Sequence, residues 1–231
     1  MQRESDLYFH QLPVGEMANL AYLLGSRATR ECLVVDPAWE VDALLDRAEA
    51  DGMRVVGALV THYHPDHVGG QVFGHRIEGV ARLLERQPVP LHVNEREAEG
   101  TRRVTGAAES DVVRHAGGDA LCLGSVRVRL LHTPGHTPGS QCFLLDGRLV
   151  SGDTLFIGSC GRCDLPGSSP EQLYESLTQK LMKLDEATAV FPGHHYAPPE
   201  TQTTIAAEKR HNPFFNFPTK SAFLAAMGYP A

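Results

Sequence analysis

Thr61-His62-Tyr63-His64-Pro65-Asp66-His67 places four side chains able to hold a metal within six positions. The apolar run before it, residues 55–60, reads as a buried strand, so the cluster falls where a strand gives way to a loop. Imidazole suits borderline ions such as zinc and iron, and the carboxylate of Asp66 completes a mixed donor set. A bulged loop can aim His62 and His64 one way and Asp66 and His67 another, giving two adjacent positions for a cation. The competing reading is a solvated loop with incidental histidines. Clusters this rich in His and Asp are uncommon without a metal or a catalytic task.

Three later segments share that placement. His136 is the centre of Thr133-Pro134-Gly135-His136-Thr137-Pro138-Gly139, a Pro/Gly turn between two apolar runs. Ser151-Gly152-Asp153 follows a strand-like run, and Gly152 lets the backbone bend so that the carboxylate leaves the sheet edge. Pro192-Gly193-His194 repeats the pattern. Taken singly, each is an ordinary turn. Together they put His136, Asp153 and His194 on strand-end loops, which gather on one rim of a sheet.

Around these motifs, strands are predicted at residues 7–9, 21–24, 32–35, 89–93, 126–131, 140–145, 149–151 and 189–191. The third stops at Asp36-Pro37, since proline does not sit inside a central strand, and Asp146-Gly147 makes a hairpin turn. Helical spacing of Val41, Leu44, Leu45 and Ala48 predicts a helix over 41–50. Others are expected over 77–86, over 170–184 with Pro170 at its start, and over 203–228 with a break at Asn212-Pro213. Residues 94–118 are polar and carry no readable pattern. Alternating helices and strands joined partly by hairpins fit an α/β protein with two mixed sheets and helices on their outer faces, one option among several. The 231 residues read as one domain with a short helical C-terminal segment, about 203–231.

The ordered set His-x-His-x-Asp-His at 62–67, His136 in TPGHTPG, Asp153 in GDTLF and His194 in PGHHY, preceded by Val34-Val35-Asp36-Pro37, resembles the metallo-β-lactamase superfamily. That resemblance implies a four-layer αββα sandwich with metal at one sheet edge. It implies that His62, His64 and His136 hold a first metal, that Asp66, His67 and His194 hold a second, and that Asp153 bridges them. Asp66 then doubles as a catalytic candidate.

Residues 152–164, GDTLFIGSCGRCD, are similar to the glyoxalase II and persulfide dioxygenase branch, whose enzymes handle glutathione-derived substrates. Gly161, Arg162 and Asp164, with the tail Asn212-Pro213, Phe223-Leu224 and Met227-Gly228, resemble the dioxygenases more than the hydrolases. Cys163 and His195 stand where dioxygenases commonly carry Thr and Asp. The resemblance implies oxidation of glutathione persulfide by dioxygen and water to sulfite and glutathione, with one Fe(II) held by His62, His136 and Asp153. The alternatives are a thioester hydrolase of the hydroxyacylglutathione hydrolase type with two zinc or iron ions, and a non-catalytic metal-binding module. Two histidines and a carboxylate leave iron open positions for sulfur and dioxygen, whereas hydrolysis wants two ions sharing a hydroxide. All seven ligands are present, so the ligand set fits both enzymes.

Arg162 can pair with a substrate carboxylate, or equally with Asp164. Tyr196 can donate a hydrogen bond to substrate, as a binding or catalytic residue, and Lys209 can add positive charge. Cys160 and Cys163 form a C-x-x-C with no thioredoxin-like unit around it. His132 is expected to stand behind the ligands. A formal charge of −7 argues against nucleic-acid or anionic-membrane partners, which need a basic face. There is no signal-peptide pattern and the cysteine count, five, is odd, so a cytoplasmic protein is expected. A homodimer is expected as its assembly.

Overall fold

Strands such as Asn19–Ser26 that are buried at every position demand cover on both faces. The computed structural model, which describes residues 6–72 and 74–229, supplies that cover with two six-stranded sheets and flanking helices. The first half runs β1 (Leu7–Val14), β2 (Asn19–Ser26), β3 (Glu31–Val35), α1 (Val41–Ala50), β4 (Arg54–Leu59), α2 (Pro65–Val68), the hairpin β5 (Gly70–Val72) and β6 (His75–Ile77), α3 (Val80–Arg86), β7 (Leu91–Asn94), α4 (Ala98–Thr105) and β8 (Val112–His115). The second half runs β9 (Ala120–Leu123), β10 (Val126–His132), β11 (Gln141–Leu145), β12 (Arg148–Gly152), the hairpin β13 (Leu155–Phe156) and β14 (Ser159–Cys160), α5 (Pro170–Glu175), β15 (Ala189–Pro192), β16 (Thr203–Thr204), α6 (Ile205–His211) and α7 (Lys220–Ala226).

Both sheets are mixed. The first has the order β1-β2-β3-β4-β7-β8, antiparallel up to β3 and parallel beyond it. The second has the order β16-β15-β12-β11-β10-β9, with β12 and β15 as its parallel pair. Period-two alternation sorts side chains into layers. Leu20, Tyr22 and Leu24 of β2, with Leu33 and Val35 of β3, meet Val128, Leu130, Phe143, Leu145 and Phe191 between the sheets. The intervening Ala21, Leu23, Cys32 and Val34 face Val41 and Leu44 of α1 and Leu83 of α3. On the far side Cys142, Leu149 and Val190 face Leu173 of α5, Ile205 of α6 and Phe223 of α7. Three apolar layers between four layers of structure make the αββα sandwich. Burying each large apolar side chain contributes about 1.5–3 kcal/mol, and a one-residue slip would send every one to the wrong layer.

Some expectations move. The helix expected over 77–86 starts only at Val80, because His75–Ile77 pairs with Gly70–Val72 as a hairpin. The segment 170–184 is helical, but after α5 it widens to a π-turn over Ser176–Lys180 and closes with a 3-10 turn over Leu181–Lys183. The unreadable stretch 94–118 holds α4 and β8. Among the described residues no helix is long and apolar enough to cross a membrane.

The topology also places the motifs. β3, β4 and β7 are parallel and end on one edge of the first sheet, so Asp36, Thr61-His62 and Asn94 emerge together. β12 and β15 do the same for Asp153 and His194, and β10 turns toward His136 at that edge. Gln141 ties the two edges: its N–H donates to the Thr61 carbonyl at 3.0 Å and its side-chain amide to the Val60 carbonyl at 2.9 Å.

Candidate metal centre

Pro65 opens α2, so His64 lies on extended backbone while Asp66 and His67 lie on a helical turn beyond it. His64 Nδ1 lies 3.0 Å from His136 Nε2, and donor atoms of His62, His64 and His136 all fall within 4.8 Å of one another. Asp66, His67 and His194 form a second such group, with His67 Nε2 3.2 Å from His194 Nε2 and Asp66 Oδ2 3.4 Å from the latter. Asp153 stands between them. Its Oδ2 is 3.6 Å from His136 Nε2 and 3.4 Å from His194 Nε2, and its Oδ1 is 3.3 Å from His67 Nε2. All seven residues singled out as ligands therefore converge. Gly152 makes the required bend at a φ of +49°.

The outward-facing ring nitrogens fix which nitrogens point inward. His136 Nδ1 donates to the Arg162 carbonyl at 2.8 Å and His194 Nδ1 to the Met17 carbonyl at 3.0 Å. A carbonyl only accepts, so each Nδ1 carries a proton and Nε2 is the nitrogen turned toward the cluster. His67 Nδ1 contacts Asp36 Oδ2 at 2.9 Å, and His62 Nδ1 contacts Thr61 Oγ1 at 3.0 Å. His62 Nε2 is buried with no hydrogen-bond partner among the described residues, and Asp153 Oδ1, also buried, has only its 3.3 Å contact with His67 Nε2. Two inward acceptors of this kind are costly to bury unless a cation is their partner.

Charge completes the fit. Burial pulls His67 and His194 toward the neutral form, but Asp153 and Asp66 outweigh it. His67 is held well above its usual value and His194 is raised to about 9. Burial likewise raises Asp66 and Asp153, and the His67 and His194 charges overcome it and hold both low. His62 and His64 are depressed by burial and by neighbouring rings, His64 to about 4. Protons on two histidines thus balance the carboxylates, and a divalent cation can replace them.

Several supporting residues carried no readable signal in the sequence. Asp36, read as a strand stop at the start of the motif set but given no role of its own, accepts from Thr61 N at 2.7 Å and Thr61 Oγ1 at 2.6 Å besides contacting His67. Asn19 Nδ2 donates to Asp66 Oδ2 at 3.1 Å, and Trp39 Nε1 lies 3.1 Å from both Asn19 Oδ1 and the Asp66 carbonyl. His132, expected behind the ligands, instead contacts the Pro138 carbonyl at 3.0 Å and braces the turn that holds His136.

The profile of the metallo-beta-lactamase superfamily matches residues 14–194. The chain belongs to that superfamily. Among solved structures it is similar to ETHE1 from Myxococcus xanthus, with 32% identity and a TM-score of 0.82, covering 96% of this chain and 90% of that one. It is similar to TTHA1623, solved in a di-iron-bound form, at 33% identity and a TM-score of 0.71 over 89% and 99% of the two chains. The hydroxyacylglutathione hydrolase of Anaeromyxobacter dehalogenans is 36% identical over 82% of this chain, which spans 66% of that enzyme's length. These relatives place the superfamily member in the persulfide dioxygenase and glyoxalase II branch.

Around this metallo-beta-lactamase centre the other candidates separate. Tyr196 is exposed and stacks on His194, ring centroids 4.6 Å apart and 9° between planes. Partial burial, then Asp153 and Asp66, push its phenol up to about 12, so it stays a donor. Arg162 is exposed and makes a bidentate pair with Asp164, both distances 2.6 Å, one residue from Cys163 and with its carbonyl on His136. Lys209 is engaged by Glu186 at 3.1 Å, at the start of β15 and so at the opposite end from His194. Cys160 and Cys163 are buried, and burial raises both thiols, Cys163 to about 12, which disfavours the reactive thiolate. Among the described residues all five cysteines are free.

Proposed function

We propose that this metalloenzyme is a persulfide dioxygenase that converts glutathione persulfide, dioxygen and water to glutathione, sulfite and two protons. The observation that carries the reading is the buried, unpartnered His62 Nε2 beside Asp153, whose carboxylate reaches toward His136. With His136 they make the two-histidine, one-carboxylate set typical of non-haem iron(II) oxygenases. Similarity to ETHE1 over nearly the full length of both chains supports it. Fe(II) bound there supplies open positions for sulfur and dioxygen.

The chain's own residues then do the rest. Arg162 pairs with a carboxylate of the tripeptide, exchanging Asp164 for substrate. Tyr196 donates its hydroxyl proton to a substrate heteroatom beside His194. His64, Asp66, His67 and His194 hold water and keep the charge of the cleft. Lys209, pointing to Glu186, contributes through the general field only. The enzyme acts on a small molecule in the cytoplasm, as a homodimer.

A second reading is favoured by one observation: Asp66, His67 and His194 form a complete second donor set joined to the first through Asp153. That arrangement suits a thioester hydrolase, and the similarity to hydroxyacylglutathione hydrolases and to a di-iron-bound structure agrees with it. Retention of all seven ligands weighs against a non-catalytic module. Oxygen uptake with glutathione persulfide by iron-loaded protein tests the choice. Uptake is expected; none, alongside rapid hydrolysis of S-lactoylglutathione, reverses the assignment. About one iron per chain fits the first reading and two ions per chain the second.

A further inference from the structure

Glu97 is fully buried on the turn before α4, and among the described residues no basic side chain pairs with it. An isolated buried carboxylate is costly unless hydrogen bonds replace its water. Three do. Oε1 accepts from Gly139 N at 2.6 Å and Thr137 Oγ1 at 2.8 Å, and Oε2 accepts from Tyr63 N at 2.8 Å. Tyr63 separates His62 from His64, and Thr137 follows His136. One carboxylate thus clasps the two loops that bring the three histidines of the first metal position together, without touching any of them.

The surroundings are shaped to it. A Cβ at Gly139 would stand 2.7 Å from Glu97 Cγ and 2.8 Å from its Oε1, so only glycine lets that turn reach the carboxylate. A Cβ at Gly100 would stand 2.6 Å from the Tyr63 ring, so α4 packs directly against the 61–67 loop. A carboxylate offers acceptors on both oxygens and no donor, which matches a cradle of three donors. An amide does not: whichever way it turns, its NH2 meets a donor, and one loop is released.

We infer that Glu97 is a positioning residue that sets the spacing of His64 and His136, and so selectively tunes the first metal position. The inference rests on the metal centre but on neither candidate substrate. It can therefore fail while either proposed reaction stands.

The test uses Co(II) alone as the probe, titrated into the full chain in two backgrounds. Asp66→Ala disables the second position, and His62→Ala, at a ligand common to both readings, disables the first. In the Asp66→Ala background Glu97→Gln is expected to weaken Co(II) binding about ten-fold, the lower end of what supporting residues around metal ligands contribute. In the His62→Ala background the change is expected to stay below about two-fold. Equal weakening in both backgrounds, or none in either, overturns the inference, since a purely structural role would act without regard to position. Thr137→Val removes one of the three donors while keeping the side-chain shape. It is expected to act with the same sign and selectivity, and decides the matter if Glu97→Gln does not fold. A wild-type chain that takes up no Co(II) overturns both this inference and the metal centre.

Discussion

Oδ2 of Asp36 lies 2.9 Å from Nδ1 of His67, while Nε2 of the same ring faces Asp153 and His194. The contact requires Asp36 to leave β3 at a φ of +51°, and Thr61 holds it there through both carboxylate oxygens. Asp36→Asn turns one of those acceptors into a donor. Metal affinity at the second position is expected to fall about 10–100-fold. Elemental analysis after dialysis against a chelator checks it, and full retention at wild-type levels would remove Asp36 from the centre.

Gly161→Ala should disturb the centre through the backbone. The added Cβ would stand 1.9 Å from the Asp153 carbonyl and 3.2 Å from His136 Nδ1, so one or both must move. Overpacking of this kind costs about 1–3 kcal/mol. Urea unfolding should show that loss together with a lower metal content. A variant with normal stability and full metal would show that the loop shifts freely.

Arg162→Ala should raise KM about ten-fold with kcat changed less than about two-fold, the pattern of lost substrate binding that is the same in ground and transition states. Exposed ion pairs such as Arg162–Asp164 add little to stability, so the melting temperature should not move. Steady-state kinetics with the proposed glutathione-derived substrate decide. An unchanged KM with a depressed kcat would place Arg162 off the tripeptide.

His92 and His115 share a 2.9 Å contact between β7 and β8, away from the ligands. Burial, then the His115 charge, lower His92 to about 4 from its ordinary 6.5. The folded state therefore binds fewer protons at this site than the unfolded state, and stability is lost as pH falls from 6.5 through about 4. His92→Gln keeps a hydrogen-bonding side chain and removes the titration. Thermal melts across that window should decline less steeply for the variant than for wild type; identical slopes would rule out the contribution.

The ligands were legible because metal chemistry restricts residue type. His62, His64, Asp66, His67, His136, Asp153 and His194 had to be His or Asp, and had to follow strands. The layers were legible because β2 and β3 are apolar on both faces. What was not legible is held by contacts between distant residues. Asn19, Trp39 and Asp36 support Asp66 and His67 through single hydrogen bonds that any polar residue could have announced. Glu97 lay in a stretch whose helix, α4, has eight residues, one of them Gly100, and too few apolar positions to show a period. The hairpin of β5 and β6 was hidden because each strand is only three residues long and the last residue, Ile77, read as the start of a helix.

The Met17 carbonyl, delivered by the turn between the first two strands, receives the Nδ1–H of His194, which is separated from it by 177 positions. The donor cluster is thus closed by partners from near the two ends of the matched domain. During synthesis a growing chain holds at most a partial grip on a cation until the fifteenth strand has emerged and docked. Capture of the ion and completion of the sandwich become one event, and cation release should accompany the first opening of the seam between the sheets.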